Sequence, residues 1–292
     1  MIVHLIDGTY ELFRHFHGLR RFNQGKDAPY GAVIGVLRTV LQMIEAGATH
    51  LGVATDHVIE SFRNDLFPGY KTGEGVPEEL LSQFDLAEEV TRALGIVTWA
   101  MVEFEADDAI STAAARFAED SRVEQVVIAS PDKDLTQCVR GTRVVVWDRM
   151  RKIVLDEAGV RAKFGVPPEA IPDYLALVGD SADGFPGISG WGRKSAASVL
   201  ERYLHIEAIP QNDSDWEVKP RRAYDLAAEL RQEKEAALLY RRLATLRLDV
   251  PLAEEPDDLR WEGARREALR KLCQELREEV PTLFGSGARD AD

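Results

Sequence analysis

Short apolar runs rich in β-branched residues recur along the chain, each closing on a turn or an acidic residue. Ile2 to Ile6 ends at Asp7-Gly8, read as a strand followed by a turn, and similar runs occupy His50 to Ala54, Ile96 to Ala100, Val126 to Ala129 and Val144 to Trp147. Their shortness and unbroken apolarity predict buried strands. Between them, apolar residues recur at helical spacing over Gly31 to Glu45, Pro77 to Leu94 and Ala106 to Glu119. Strands alternating with helices predict an α/β fold with a mainly parallel central sheet flanked by helices on both faces. Beyond about residue 165 the strand signal fades. PPEAIPDYLALVGD, GRKSAASVLERY and RRAYDLAAELRQEKEAALLYRRLATL predict helices, with a polar linker from Gln211 to Lys219. A charged helix is expected near Glu262 to Glu279, ahead of a Gly-rich tail expected to fray. The expected division is an α/β core over 1–165, a helical domain over 166–250, and a C-terminal helical segment with its tail over 251–292. No internal repeat interrupts this order.

Composition narrows the class. The 292 residues are 45% hydrophobic and 29% charged, as in soluble globular proteins. No stretch approaches the roughly 20 apolar residues that cross a bilayer, and MIVHLIDGTY lacks a basic leader. A cytoplasmic protein without a membrane partner is expected. Cys138 and Cys273 stand far apart and six histidines are scattered, so reduced thiols are expected and neither zinc nor haem. A net charge of -14 weighs against a broad basic surface for nucleic acid. It does not exclude local basic patches, which can coexist with a negative total.

The carboxylates carry the candidate chemistry. Asp7 follows the first strand and Asp56 lies just past the second. Glu105, Asp107 and Asp108 open a helix after the third, and Asp132 and Asp134 follow VVIASP. Asp180 and Asp183 stand after the PPEAIPDYLALVG helix. In parallel sheets ligands bind beyond the carboxyl ends of the strands, so one edge collects the strand-end acids. Carboxylates crowded at the edge of a core lose solvation and repel one another unless cations compensate. Hard divalent cations do so best, with Mg²⁺ the usual choice. Two such ions can hold the attacking and leaving oxygens of a phosphoryl transfer, which points to phosphodiester chemistry. Taken singly, Asp7 also reads as a turn or N-cap residue. Glu105-Ala106-Asp107-Asp108 also reads as acid placed on a helix dipole; the coincidence at strand ends favours the metal reading.

GISGWGRKSAASVL, Gly187 to Leu200, fails as a Walker A loop because Arg193 separates Gly192 from Lys194 and no buried strand precedes it. It fits a turn between two helices. Gly190 and Gly192 let the backbone approach a phosphate, the helix after them offers free N–H groups, and Arg193 and Lys194 add charge. Such a device grips a nucleic-acid backbone without reading bases.

Together DGT, SFRNDLFPGYK, FEADDAIS, SPDKDLTQ and LVGDSADGFPGISGWGRKSA stand in the order and spacing of one known family, and RLATLRLDVPL is similar to its closing segment. From about Ile2 to Tyr203 the chain resembles the 5′-nuclease domain of bacterial DNA polymerase I and the wider flap endonuclease family. No polymerase sequence follows, so a stand-alone member is expected. The resemblance implies Mg²⁺- or Mn²⁺-dependent hydrolysis of DNA at 5′ ends, flaps and single-strand/duplex junctions, leaving 5′-phosphate, in replication or repair. Carried over by motif, Asp7, Asp56, Glu105 and Asp107 would surround the first of two metals. Asp132, Asp134 and Asp183 would serve the second, with Asp108 and Asp180 nearby. The resemblance also implies a helical arch near 64–90, from whose base Arg63 and Lys71 reach the scissile phosphate. Exposed loop charges are the alternative for both. Lys133 would assist between ligands, and Arg14 matches another basic position near the site.

The glycine turn matches the family's helix-three-turn-helix, so Gly190, Gly192, Arg193, Lys194 and Ser195 would bind duplex DNA, with K⁺ on main-chain carbonyls. A monomer working beside a separate DNA polymerase is implied. Tyr30 and Phe104 are open between stacking on an unpaired base and core packing. This chain departs from the pattern in three places. Tyr70-Lys71-Thr72-Gly73-Glu74 replaces a Tyr-Lys-x-x-Arg, and Glu78 and Glu79 extend the acidity, which disfavours a 5′-phosphorylated strand. Gly184 stands where relatives carry Asn. Trp191 replaces a smaller apolar residue and either packs against helices or lies against a sugar. A PIN-like ribonuclease and a branched-DNA binder that no longer cuts are the competing readings, which leaves RNA as an alternative substrate.

Overall fold

The computed structural model describes residues 1–23 and 29–278; the tail expected at 280–292 lies outside them, as does Glu279. Six strands form one sheet in the order β3-β2-β1-β4-β5-β6. They are β1 (Ile2–Asp7), β2 (His50–Asp56), β3 (Val97–Met101), β4 (Gln125–Ala129), β5 (Val144–Asp148) and β6 (Ile153–Leu155). The first five are parallel, and β6 adds antiparallel to β5 at the edge. Helices α1 (Gly8–Asn23), α2 (Gly31–Glu45), α3 (Phe62–Leu66), α4 (Glu78–Leu81), α5 (Phe84–Ala93) and α6 (Ala106–Glu119) accompany the core. The helical part comprises α7 (Glu157–Phe164), α8 (Ile171–Val178), α9 (Arg193–Tyr203), α10 (Ala223–Gln232) and α11 (Lys234–Ala244), followed by α12 (Arg266–Leu276). None of these helices is long and apolar enough to cross a membrane.

Alternation along the strands divides the core between the two faces of the sheet. Val3, Leu5, Val126 and Ile128 pack with α6 and the helical part, whereas Ile6, Leu51, Val53 and Ala129 pack with α2, α5 and α12. Chain order reverses between β1 and β4, the position at which doubly wound sheets open a ligand crevice beyond the carboxyl ends of their strands.

Three sequence expectations need correction. Asp7-Gly8 does not close a strand with a turn; α1 starts there directly, capped by Asp7 Oδ1, which accepts the Tyr10 N–H at 2.8 Å. The single helix expected over Pro77 to Leu94 is interrupted at Ser82-Gln83 and forms α4 and α5. In place of a helical arch near 64–90, a loop carries Lys71 between the five-residue α3 and four-residue α4. Leu80 and Phe84 anchor the latter half of this segment in the core, because an apolar face at this spacing is more stable buried than standing free.

Candidate metal and phosphodiester site

The carboxyl ends of β1, β2 and β4 and the start of α6 converge at the reversal point. Asp7 Oδ2 accepts the Ser130 hydroxyl at 2.9 Å, and Ser130 Oγ in turn accepts the Asp132 N–H at 3.1 Å. Asp56 Oδ1 accepts the Ala106 N–H at 2.7 Å, tying β2 to the first turn of α6. Glu105, the N-cap of α6, accepts the Ser61 hydroxyl on Oε1 and holds the Lys71 ammonium on Oε2, each at 2.7 Å. Asp107 lies on the same turn. Asp180 and Phe185 exchange backbone hydrogen bonds, and the tight turn between them presents Asp183, whose carbonyl accepts the Lys71 N–H at 3.1 Å.

Asp134, Asp180 and Asp183 each bring a carboxylate oxygen within 4.8 Å of the others, and among the described residues no other trio of His, Cys, Asp or Glu is gathered so closely. Asp134 is 7% exposed, and its Oδ1 is buried without a hydrogen-bond partner. Lys133 Nζ stands 3.6 Å from Asp134 and forms an ion pair with Asp180. An orphaned buried carboxylate oxygen beside two further carboxylates fits a hard cation with oxygen ligands. Asp7, Asp56, Glu105 and Asp107 surround the adjoining space at wider spacing, with the Lys71 ammonium held against Glu105.

Electrostatics makes these groups one system. Burial, opposed by the Tyr10 and Ser130 donors and reinforced by Asp132 and Asp56, pushes the Asp7 carboxyl up to about 7. Burial, with Glu105, Asp180 and Asp132 adding and Lys71 opposing, takes Asp183 to about 6. Asp107 and Asp134 lie well above the usual carboxylate range, through burial first and the neighbouring Asp132 second. Burial raises Asp56 as well. Glu105 is the exception: burial would raise it, but the Lys71 and Arg63 cations outweigh that and hold it low. Lys71 is raised well above its ordinary value, because Glu105 and Asp56 overcome its desolvation, and remains an ammonium.

The other expected site residues are elsewhere. Arg63 is 1% exposed and cannot reach a phosphate. Its guanidinium makes two 2.7 Å bonds to Asp108 and donates to the carbonyls of Leu243 and Thr245 at 2.8 and 3.2 Å. Asp108, fully buried, spends its oxygens on Arg63, the Glu105 N–H and the Arg247 N–H, so it is no metal ligand. Arg14 is committed to Glu11 and Thr39, not to a DNA surface. Phe104 packs edge-on to Phe62 with its ring centroid 6.0 Å away, under Arg247, and Tyr30 packs against the α2 side of the core. Trp191 is a packing residue: it is 5% exposed, its indole N–H donates to the Leu226 carbonyl at 3.1 Å, and it lies against Trp216. At the glycine turn, Gly190 has φ +78°, and Ser195 caps α9 by exchanging bonds with Gly192. Arg193 and Lys194 are exposed there without an ion-pair or hydrogen-bond partner among the described residues.

Sequence reasoning missed Ser61, Tyr70 and Ser130, which orient Glu105, Asp7 and Asp132. Each stands inside a motif already singled out, SFR, GYK or SPDKD, so position beside a ligand was the available signal. Gly184 has a reason of its own. At φ +86°, a Cβ there would lie 2.1 Å from the Gly69 carbonyl oxygen. Gly184→Asn is therefore expected to destabilise by about 1–3 kcal/mol and to loosen the Lys71–Asp183 link. Urea denaturation checks it; a parental midpoint would mean that the 69–71 loop moves aside without cost.

Known proteins match this arrangement. The sequence matches the 5′-3′ exonuclease N-terminal, resolvase-like domain over residues 2–165 and the 5′-3′ exonuclease C-terminal SAM fold over 166–267. It is 34% identical to a 5′-3′ exonuclease of Aquifex aeolicus, over 97% of this chain and 93% of that one. It is 36% identical to DNA polymerase I of Pseudomonas aeruginosa, over 93% of this chain but 30% of the polymerase, so it spans under a third of that relative. The fold resembles that of the bacteriophage T5 D15 flap endonuclease solved with DNA and metal ions, at a TM-score of 0.67 and 17% identity, covering 95% of this chain and 100% of that one. On the extent of these sequence matches, the chain belongs to the 5′-3′ exonuclease family of hydrolases.

Proposed function

We propose that this protein is a divalent-metal-dependent, structure-selective 5′-nuclease. It hydrolyses DNA phosphodiesters at 5′ ends and single-strand/duplex junctions, leaving 5′-phosphate, in replication or repair. The observation that carries this reading is the orphaned Asp134 Oδ1 within the Asp134, Asp180, Asp183 trio. Those three with Asp132 would hold one Mg²⁺ or Mn²⁺, and Asp7, Asp56, Glu105 and Asp107 would surround a second. When bound, the pair of cations supplies neutralisation of the phosphate and of the attacking and leaving oxygens. Lys71, 28% exposed and locked in its protonated form, is placed to bind a phosphate oxygen at the mouth of the site. Lys133 balances charge between Asp134 and Asp180. The Aquifex aeolicus relative is named as a 5′-3′ exonuclease and the T5 protein was solved with DNA, which supports DNA as substrate.

The test is cleavage of an end-labelled 5′-flap duplex with Mg²⁺, with Mn²⁺ and with EDTA, beside an RNA strand of the same sequence. Metal-dependent cutting at the DNA junction is expected. Binding without cutting in either metal, or preference for RNA, would overturn the reading.

Lys194→Ala is expected to remove one phosphate contact, weakening duplex binding and lowering the salt-dependence slope by about 0.9. Fluorescence anisotropy across a salt series reads both. A parental slope would remove the α9 turn from the interface.

A further inference from the structure

A cleft of about 490 Å³ opens beside the carboxylates, between the start of α1 and the turn joining β5 to β6. Tyr10, Asp132, Lys133, Asp148, Met150 and Arg151 line it, so it begins at the proposed metal site and runs outward. Its size falls in the range of roughly 300–1,000 Å³ usual for ligand pockets. Three features distinguish it from an ordinary surface groove. The far wall is firmly set: the Arg151 N–H and guanidinium bind Asp148 at 2.9 and 3.0 Å, and Arg149 reaches the buried Glu11 at 3.1 Å. The wall presents a cation on a protein of net charge -14, the Arg151 guanidinium, 72% exposed. Finally, Met150 is 62% exposed at the tip, apolar area left uncovered next to a cationic head group.

A phosphate needs cations, and a sugar with its base needs a flat or flexible apolar surface. We propose that this cleft is a nucleotide subsite for the strand being cut. Arg151 and Lys133 face the phosphate next to the scissile one, and Tyr10 and Met150 bear the sugar and base. The inference rests on the nuclease reading above and adds the residues that seat the substrate on the β5–β6 side. It also gives the site a cationic surface where Glu74, Glu78 and Glu79 make the Lys71 side acidic.

The test compares the parent protein with Arg151→Ala, Met150→Ala and Lys152→Ala in steady-state cleavage of a 5′-flap duplex with Mg²⁺. Each is also assayed on two substrates with an abasic residue on one or the other side of the scissile phosphate. Arg151→Ala is expected to raise KM about three- to tenfold with kcat within about twofold, the loss of one phosphate contact. Removing the base on one side should slow the parent but leave Met150→Ala unaffected, since that variant has already lost the contact. Lys152→Ala, at the same turn but outside the cleft, should match the parent and so controls for charge. If Arg151→Ala behaves as Lys152→Ala does, or Met150→Ala is as sensitive to base removal as the parent, the subsite is wrong while the nuclease reading stands. A parent that cuts no DNA would overturn both.

Discussion

Asp134→Asn is expected to lower cleavage on the order of 10²–10³-fold or more while making the metal-free protein more stable. Both effects come from one atom. Asp134 Oδ1 is buried without a hydrogen-bond partner, and burial with the adjacent Asp132 and Asp183 outweighs the Lys133 ammonium 3.6 Å away and holds its carboxyl well above the usual range. Asparagine keeps the shape and removes the charge that those neighbours repel, but it gives a cation a weaker ligand. The same physics sets a pH dependence. Asp7 titrates near about 7 and Asp183 near about 6 in the folded chain, against roughly 3.9 unfolded. A carboxyl with a raised folded pKa holds its proton more tightly when folded, so folding takes up protons in that window and stability falls as pH rises. In EDTA the melting temperature should therefore be higher near pH 5 than near pH 8, with the loss developing between about pH 4 and 7. Mg²⁺ should flatten that slope, because cations replace the missing protons, and Asp134→Asn should raise the pH 8 value in EDTA. Melting curves at both pH values, with EDTA and with Mg²⁺, decide it. An Asn variant no more stable than its parent without metal would mean that Asp134 is not under the strain its burial implies.

The part of this site legible in the sequence was the part fixed by topology. A residue that closes a parallel strand must stand at the carboxyl edge of the sheet, so the strand pattern alone places Asp7, Asp56 and Asp132 together. Helices with a clean apolar face were equally legible: Gly31–Glu45 and Ala106–Glu119 form over the bounds their periodicity predicts. What was illegible depends on rotation and on distant partners. Asp107 and Asp108 are neighbours, but helical geometry turns them about 100° apart. Asp107 looks into the site, whereas Asp108 turns to Arg63 and to a segment some way down the chain at Arg247. No local pattern announces that pairing. Strand β6 escaped because three mostly exposed residues carry no period, and α1 because Gly8 reads as a turn when a helix follows a strand without a linker.

Arg63→Ala is expected to cost about 3–5 kcal/mol of folding stability, as for a buried ion pair broken on one side. That is a large part of the roughly 5–15 kcal/mol by which domains hold their fold. Truncation would leave the fully buried Asp108 charged without a counter-ion and strip donors from the Leu243 and Thr245 carbonyls. Because Arg63 also stands 3.3 Å from Glu105, its loss removes a cation that keeps that carboxylate ionised. Activity should therefore fall together with the denaturation midpoint. Arg63→Lys keeps the charge but not the two-pronged geometry and should lie between. The double change Arg63→Met with Asp108→Leu should be less damaging than the sum of its parts, since it leaves no lone buried charge. Urea denaturation of the set, with cleavage on the same samples, separates two roles that the motif alone could not. An Arg63→Ala protein with a parental midpoint and a low kcat would return this arginine to the phosphate. The expected coincidence of the two losses would instead make it the bolt between the end of α11 and the first turn of α6, which sets where Glu105 and Asp107 stand.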